Sequence, residues 1–235
     1  MNQPSQKDYQ NLIDVLIDCS LGEEASILIT HRYLIDSGLI EAIKKEISLQ
    51  EDANHPGNVD FLEFLIEQLG EIVRFLDDLT NVDQINSERG VKINAESTID
   101  LLRDVLLAVL ISGSAPQVMA PFFEINSTKL DEHFVQLFKE LLPNALSKVK
   151  PEVAADYAGN IGSFSNQISD STLGNRAVNL EIAIAGYETI TAEVFTYYSF
   201  PQDWGRTQYN LGNAYADRIQ GAKAENLERL FRICG

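Results

Sequence analysis

Gly174-Asn175-Arg176-Ala177-Val178-Asn179-Leu180-Glu181 returns as Gly221-Ala222-Lys223-Ala224-Glu225-Asn226-Leu227-Glu228. The leading glycine, an alanine and the run Asn-Leu-Glu fall in register 47 positions apart. Self-similarity at a fixed spacing marks a repeated supersecondary unit, and it outranks local propensity, because such a unit cannot bury its apolar face alone and must stack on a neighbour. The stretch from Leu173 to Gly235 is therefore read first, and the rest of the chain from it.

Between the copies lies Trp204 and then Leu211-Gly212-Asn213-Ala214-Tyr215. Leu-Gly-x-x-Tyr is the pattern of the first helix of a tetratricopeptide repeat (TPR). The glycine admits a facing helix, and Leu211 and Tyr215, four residues apart, cover one helix face. The second helix of such a unit wants alanine, an aliphatic residue and an aromatic, which Ala183-Ile184-Ala185-Gly186-Tyr187 supplies. Phe200-Pro201 ends that helix, since the residue before proline is pushed out of the helical region. The spacing of 47 exceeds the standard repeat of about 34 residues, and Trp204 precedes its leucine by seven positions rather than about three. Leu230, the partner of Ala183, comes late, so the turn after Tyr215 is stretched. These features describe long TPR-like hairpins.

The residues Asn179-Leu180-Glu181 with Tyr187, Ser199-Phe200-Pro201-Gln202-Asp203-Trp204 and Thr207-Gln208-Tyr209-Asn210 through Ile219 resemble bacterial TPR–CHAT proteins, common in cyanobacteria. Asp18-Cys19-Ser20-Leu21-Gly22-Glu23-Glu24 and Asp36-Ser37-Gly38-Leu39 resemble the leader of the same proteins. The resemblance implies a TPR array that precedes a caspase-like CHAT domain. Its His/Cys chemistry would reside in that domain, which this sequence does not include, so no catalytic role carries over. In register, Gly235 stands opposite Glu188, while the first such helix is expected to run to about Tyr198. The reading is a truncated member, or an array whose last apolar face a partner covers.

The 235 residues can bury a sizeable core and hold one or two domains. A net charge of −17 speaks against nucleic acid and anionic lipid, both of which select basic patches. Residues 1–150 hold 25 acids against 12 bases, and residues 151–235 hold 10 against 6, so the acidity belongs mainly to the first part. No apolar run approaches the roughly 18 residues of a membrane span, and the polar start Met1-Asn2-Gln3-Pro4 is not a signal peptide. Two cysteines, Cys19 and Cys234, cannot form a disulfide framework and suit a reducing compartment. A cytoplasmic protein is expected, with Cys19 a buried free thiol.

Helical periodicity runs through the whole chain and no strand pair interrupts it. Helices are expected over Tyr9–Cys19, from Gly22, over Tyr33–Leu49, Val59–Leu79, from the cap Ser97, over Pro116–Glu124 and Thr128–Leu142, and over Glu152–Ile168. Pro143 and Pro151 punctuate the junction between the last two. Residues 80–95, with Asn81, Asn86, Gly90 and Asn94, read as a linker. Leu12-Ile13-Asp14-Val15-Leu16 with Gly22 echoes Leu102-Arg103-Asp104-Val105-Leu106 with Gly113, each followed by a short helix and a longer one starting near Asp36 or Asp131. The fold class is all-α: an acidic helical leader over 1–150, whose echoed halves suggest an internal duplication, then a TPR-like right-handed solenoid of two hairpins over 151–235, the last of them incomplete.

His31, His55 and His133 are scattered without ligand spacing, and Asp77-Asp78 with Asp83 lacks the glycine of a calcium loop. No phosphate-binding, dinucleotide or nucleophile-elbow motif occurs. Neither metal, cofactor nor catalytic group is expected. What remains is a surface. On the first helix of each hairpin, residues off the packing face would line a concave groove: Arg206, Tyr209, Asn213 and Asp217 on one, Asp156, Ser163 and Asn166 on the other. The expected function is a non-enzymatic scaffold that binds a protein or peptide there. The alternative, implied by the resemblance, is a regulatory or assembly arm that self-associates as a homo-oligomer through the open C-terminal edge.

Overall fold

The computed structural model describes residues 4–80, 96–218 and 225, 226, 228 and 229. Over these residues the chain is all-α, with ten α-helices and no strand. They are α1 (Gln6–Asp18), α2 (Glu24–Thr30), α3 (Ser37–Asp52), α4 (Pro56–Thr80), α5 (Glu96–Ser112), α6 (Pro116–Asn126), α7 (Glu132–Leu146), α8 (Pro151–Asp170), α9 (Arg176–Glu193) and α10 (Pro201–Asp217). No helix among the described residues is long and apolar enough to cross a membrane. The expected linker lies outside the described residues, apart from Thr80 at the end of α4.

Two kinds of start signal set the helix boundaries. Prolines open α4, α6, α8 and α10, where the missing N–H has no partner to lose. Side-chain caps open α1, α3, α7 and α9. Ser5 and Asp8 form a capping box; Asp36 Oδ1 accepts from Leu39 N at 3.1 Å, Asp131 Oδ1 from Phe134 N at 3.0 Å and Asn175 Oδ1 from Ala177 N at 3.0 Å.

The contacts divide the chain into two compact units, Met1–Asp77 and Asp78–Gly235. The division falls inside the stretch expected to be one leader. Residue 150 is not a boundary of packing, because α7 and α9, on either side of it, pack together.

In the first unit α1 lies against α3 and buries Leu12, Ile13, Leu16, Leu39 and Ile43. The Tyr9 hydroxyl donates to Asp36 at 2.9 Å, so one carboxylate both caps α3 and anchors α1. Gly38 makes this possible: a Cβ there would stand 2.6 Å from the Tyr9 oxygen. Buried Glu46 accepts from Gln10 Nε2 at 2.9 Å and Gln50 Nε2 at 2.7 Å. On α4, Leu62, Leu65, Leu69, Ile72, Val73 and Leu76 recur at helical spacing and are all buried.

The second unit is built around α9. Every residue from Val178 to Tyr187 is buried, the pattern of a helix covered on all sides. It packs on α7, α8 and α10; α5 packs on α6, α7 and α8, and α10 also touches α8. Rings tie the layers together: Phe134 to Phe138 at 5.9 Å, Phe138 to Phe164 at 6.2 Å and Phe164 to Phe123 at 5.9 Å. Gly186 sets the α8–α9 approach, since a Cβ would meet Ser165 Oγ at 2.1 Å.

Three local expectations are corrected. The helix expected to reach Tyr198 ends at Glu193, because Phe195 N turns back to Ile190 O at 2.7 Å and its ring packs edge-on against Phe200 at 5.5 Å. Pro143 does not end its helix. It sits in the last turn of α7, which continues to bury Ala145 and Leu146. Ser97 does not precede α5 as its cap, because the helix already includes Glu96.

Candidate binding groove

Helices α8 and α10 flank α9 and leave a furrow between them. Asn166 projects from α8, Asn210 from α10 and Tyr187 from α9 below. Asn166 Oδ1 accepts from the Tyr187 hydroxyl at 2.6 Å and from Asn210 Nδ2 at 2.8 Å, so a single amide oxygen joins the three helices. Burial pushes the Tyr187 phenol well above its ordinary range, which keeps it a donor.

Around this joint lies a cavity of about 590 Å³ lined by Asn166, Ser169, Asp170, Tyr187, Asn210, Asn213 and Asp217. A second of about 90 Å³ adds Gly159, Gly162, Ser163, Phe195 and Arg206, and shares Asn166, Tyr187 and Asn210 with the first. The two are neighbouring parts of one polar furrow.

Of the seven residues expected to line a groove, Asn166, Asn213 and Asp217 line the larger part, and Ser163 and Arg206 the smaller. Tyr209 and Asp156 line neither. Tyr209 directly precedes Asn210, about 100° around the helix, and points its ring to solvent at 68 % exposure. Asp156 lies one turn before Gly159, where the furrow begins.

The sequence reading missed Asn210, Ser169, Asp170 and Tyr187. Tyr187 was assigned to packing alone, and Asn210 was hidden next to the Leu-Gly pair. The charges are uneven along the furrow. Arg206 is paired with Asp203 at 2.8 Å, and Asp217 faces Arg176 at 3.5 Å. Among the described residues, Asp170 has no cationic partner.

A buried ionic cluster secures the frame. Glu181, 4 % exposed, takes Lys139 Nζ from α7 at 3.1 Å and Arg218 Nη2 from the end of α10 at 2.9 Å. Burial raises the carboxyl, but the hydrogen bonds from Arg218 and Lys139 outweigh it and hold Glu181 below the usual carboxylate range. Its signal in the sequence was an acid inside the apolar run from Val178 to Tyr187.

The repeated asparagine performs one task twice. Asn179 Nδ2 donates to Leu173 O at 2.8 Å, and Asn226 Nδ2 to Arg218 O at 3.3 Å, both from buried positions. The first reaches back six residues and the second eight. Tyr215, of the Leu-Gly-x-x-Tyr pattern, has the guanidinium groups of Arg218 and Arg229 at 5.6 and 5.5 Å from its ring centre, and Arg229 Nη1 donates to its hydroxyl at 2.9 Å.

Elsewhere the chemistry is quiet. Cys19 is half-buried and donates to Leu16 O, and burial with the nearby Glu24 and Glu23 pushes its thiol up, away from the nucleophilic thiolate. Cys234 lies outside the described residues. Among the described residues no three His, Cys, Asp or Glu side chains gather as metal ligands. The chain matches no protein-family model, no curated protein and no solved structure.

Proposed function

We propose that the chain is a non-enzymatic interaction scaffold, a TPR-like array of helical hairpins whose α8–α9–α10 furrow binds an extended segment of another protein. The observation that carries this reading is the furrow itself. Its cavity of about 590 Å³ is open and polar, with three asparagine side chains along it. Each amide both donates and accepts, which matches the alternating N–H and C=O of an extended backbone. Enclosed small-molecule sites are instead mostly apolar.

The pattern of helix packing supports the array. In succession α5, α8 and α10 touch one another, as do α7 and α9, while α5·α7, α8·α9 and α9·α10 join the two rows. Two rows of helices in this order are what stacked hairpins produce, with α6 between the members of the first pair. The shared task of Asn179 and Asn226 supports continuation past α10. The composition supports a cytoplasmic setting, with two cysteines in the whole chain.

The test is selection of peptides from a random displayed library on the immobilised protein, followed by affinity measurement on variants. Arg206→Ala and Asn213→Ala, both exposed, should weaken selected peptides several-fold while circular dichroism is unchanged. Unchanged affinity in both would remove the furrow as the site.

A second reading is the regulatory or assembly arm suggested by the TPR–CHAT resemblance. The face beyond α10 favours it: a cavity of about 540 Å³ lies there, lined by Glu188, Gln208, Leu211, Tyr215, Glu225, Glu228 and Arg229. Light scattering coupled to size-exclusion would show mass rising with concentration if this face joins copies of the chain. A constant monomer mass would end that reading.

A further inference from the structure

Resting on the furrow being a segment-binding site, we propose that its occupant is cationic. It is an extended stretch carrying Lys or Arg, with the positive side chain set at the end formed by Asp170 and Asp217. Among the described residues, neither Asn166 Nδ2 nor the Asn213 amide has a hydrogen-bond partner. Both line the larger cavity, so backbone recognition is available there without regard to side-chain identity.

Charge then selects the partner. At the Arg206 end the guanidinium is already neutralised by Asp203 at 2.8 Å. At the other end two carboxylates line the same cavity: Asp217 faces one cation, Arg176, which stands 3.5 Å away and does not line the cavity, and Asp170 faces none among the described residues. The furrow therefore runs from neutral to negative, and a bound segment gains by placing its charge at the negative end. The net charge of −17 adds a long-range attraction that speeds the encounter with cations and repels acidic segments.

The experiment is the same peptide selection, run in parallel on three proteins: the native chain, an Asp170→Asn/Asp217→Asn double variant, and a Glu63→Gln/Glu67→Gln double variant. The last removes the same two charges from exposed positions on α4, so it controls for net charge. We expect Lys and Arg to be enriched on the native chain and the α4 variant, and the enrichment to vanish on the furrow variant. For a single selected basic peptide, each furrow substitution should weaken binding about threefold, the scale of one exposed ion pair. Peptides enriched without charge bias, or a bias that the furrow variant keeps, would overturn the cationic assignment and leave the furrow standing. Failure to enrich any peptide over the bare matrix would remove the furrow as a binding site altogether, and this proposal with it.

Discussion

Helices α1–α2–α3 and α5–α6–α7 repeat one plan in two units, and the second has been given neighbours that the first lacks. Each begins with an apolar helix, turns on a glycine with positive φ (Gly22 at 93°, Gly113 at 58°), passes through a shorter helix, and restarts at an aspartate that caps a long one. Counted from the capping aspartates, Leu39 answers Phe134, Ile43 answers Phe138 and Lys44 answers Lys139. Here the two diverge. Ile40, Ile47 and Glu51 are not buried, whereas their counterparts Val135, Leu142 and Leu146 are. The extra face of α7 is the one that α9 requires. The turns differ in the same way: Leu21 is 99 % exposed beside Gly22, while Ser114, 2 % exposed beside Gly113, donates to Asn160 O of α8 at 2.8 Å. One plan thus serves in the first unit with a less buried flank on its last helix, and in the second as the footing of a stack. The outer flank of that helix makes the difference.

The largest expected effect tests that flank. Phe138 is fully buried between Phe134 and Phe164, so Phe138→Ala opens a cavity shared by α7 and α8 and should cost about 4 kcal/mol by urea denaturation. Hydrogen exchange should rise in α8 as well as α7. Ile43→Ala, at the matching place in α3, should cost about 3 kcal/mol and leave α8 exchange untouched. Equal exchange in α8 for both variants would break the comparison.

The two lysines sharpen it. Lys44 is exposed and sits 3.4 Å from exposed Glu41, a pair of little consequence, so Lys44→Met should change stability by less than about 0.5 kcal/mol. Lys139 meets Glu181 in the interior. Glu181→Ala would strand two partly buried cations and should cost about 2 kcal/mol, below the figure for a fully buried pair because Lys139 and Arg218 keep some water. Since the folded Glu181 carboxyl lies below its ordinary value of 4.5, its contribution is complete above that pH and fades as acid protonates the folded form. Glu181→Gln should flatten the acid limb of the stability profile, and an unaltered limb would show the cluster to be irrelevant.

Much of this architecture was legible in the residues, because helix starts depend on local chemistry. Prolines and short polar caps announce themselves, and the apolar period of α4 or α8 needs no tertiary information. Helix ends were less legible. The end of α9 is decided by where the Phe195 ring can pack, and Pro143 is tolerated because buried residues beyond it hold the last turn in place. In the groove, the stripe Arg206, Asn213 and Asp217 could be found by counting, since a helix fixes which residues share a face. Asn210, four residues after Arg206, and Asp170, four after Asn166, lie on the same stripes and were within reach of the same count. Tyr187 was not: its place in the groove depends on how closely α8 approaches α9, which Gly186 and Ser165 set across helices far apart in sequence.

The smallest effect separates the two capping aspartates. Asp36 serves two masters, capping Leu39 N and receiving the Tyr9 hydroxyl, whereas Asp131 caps Phe134 N and, among the described residues, otherwise meets exposed His133 at 3.7 Å. Serine keeps a cap but is too short to hold both partners. Asp131→Ser should therefore be nearly neutral, and Asp36→Ser should cost about 1 kcal/mol, the net worth of one lost hydrogen bond. Tyr9→Phe should cost the same, and the double variant no more than either, because all three remove one bond. Alkaline titration gives an independent reading. Burial and the bond to Asp36 push the Tyr9 phenol up to about 12, so the bond's contribution is whole below the ordinary value of 10 and lost as pH climbs through 12. Tyr9→Phe should erase that alkaline loss in the first unit. Additive costs for Asp36→Ser and Tyr9→Phe would show that the aspartate acts there only as a cap, as Asp131 does, and the difference between the two hairpins would then lie in the flank of the long helix alone.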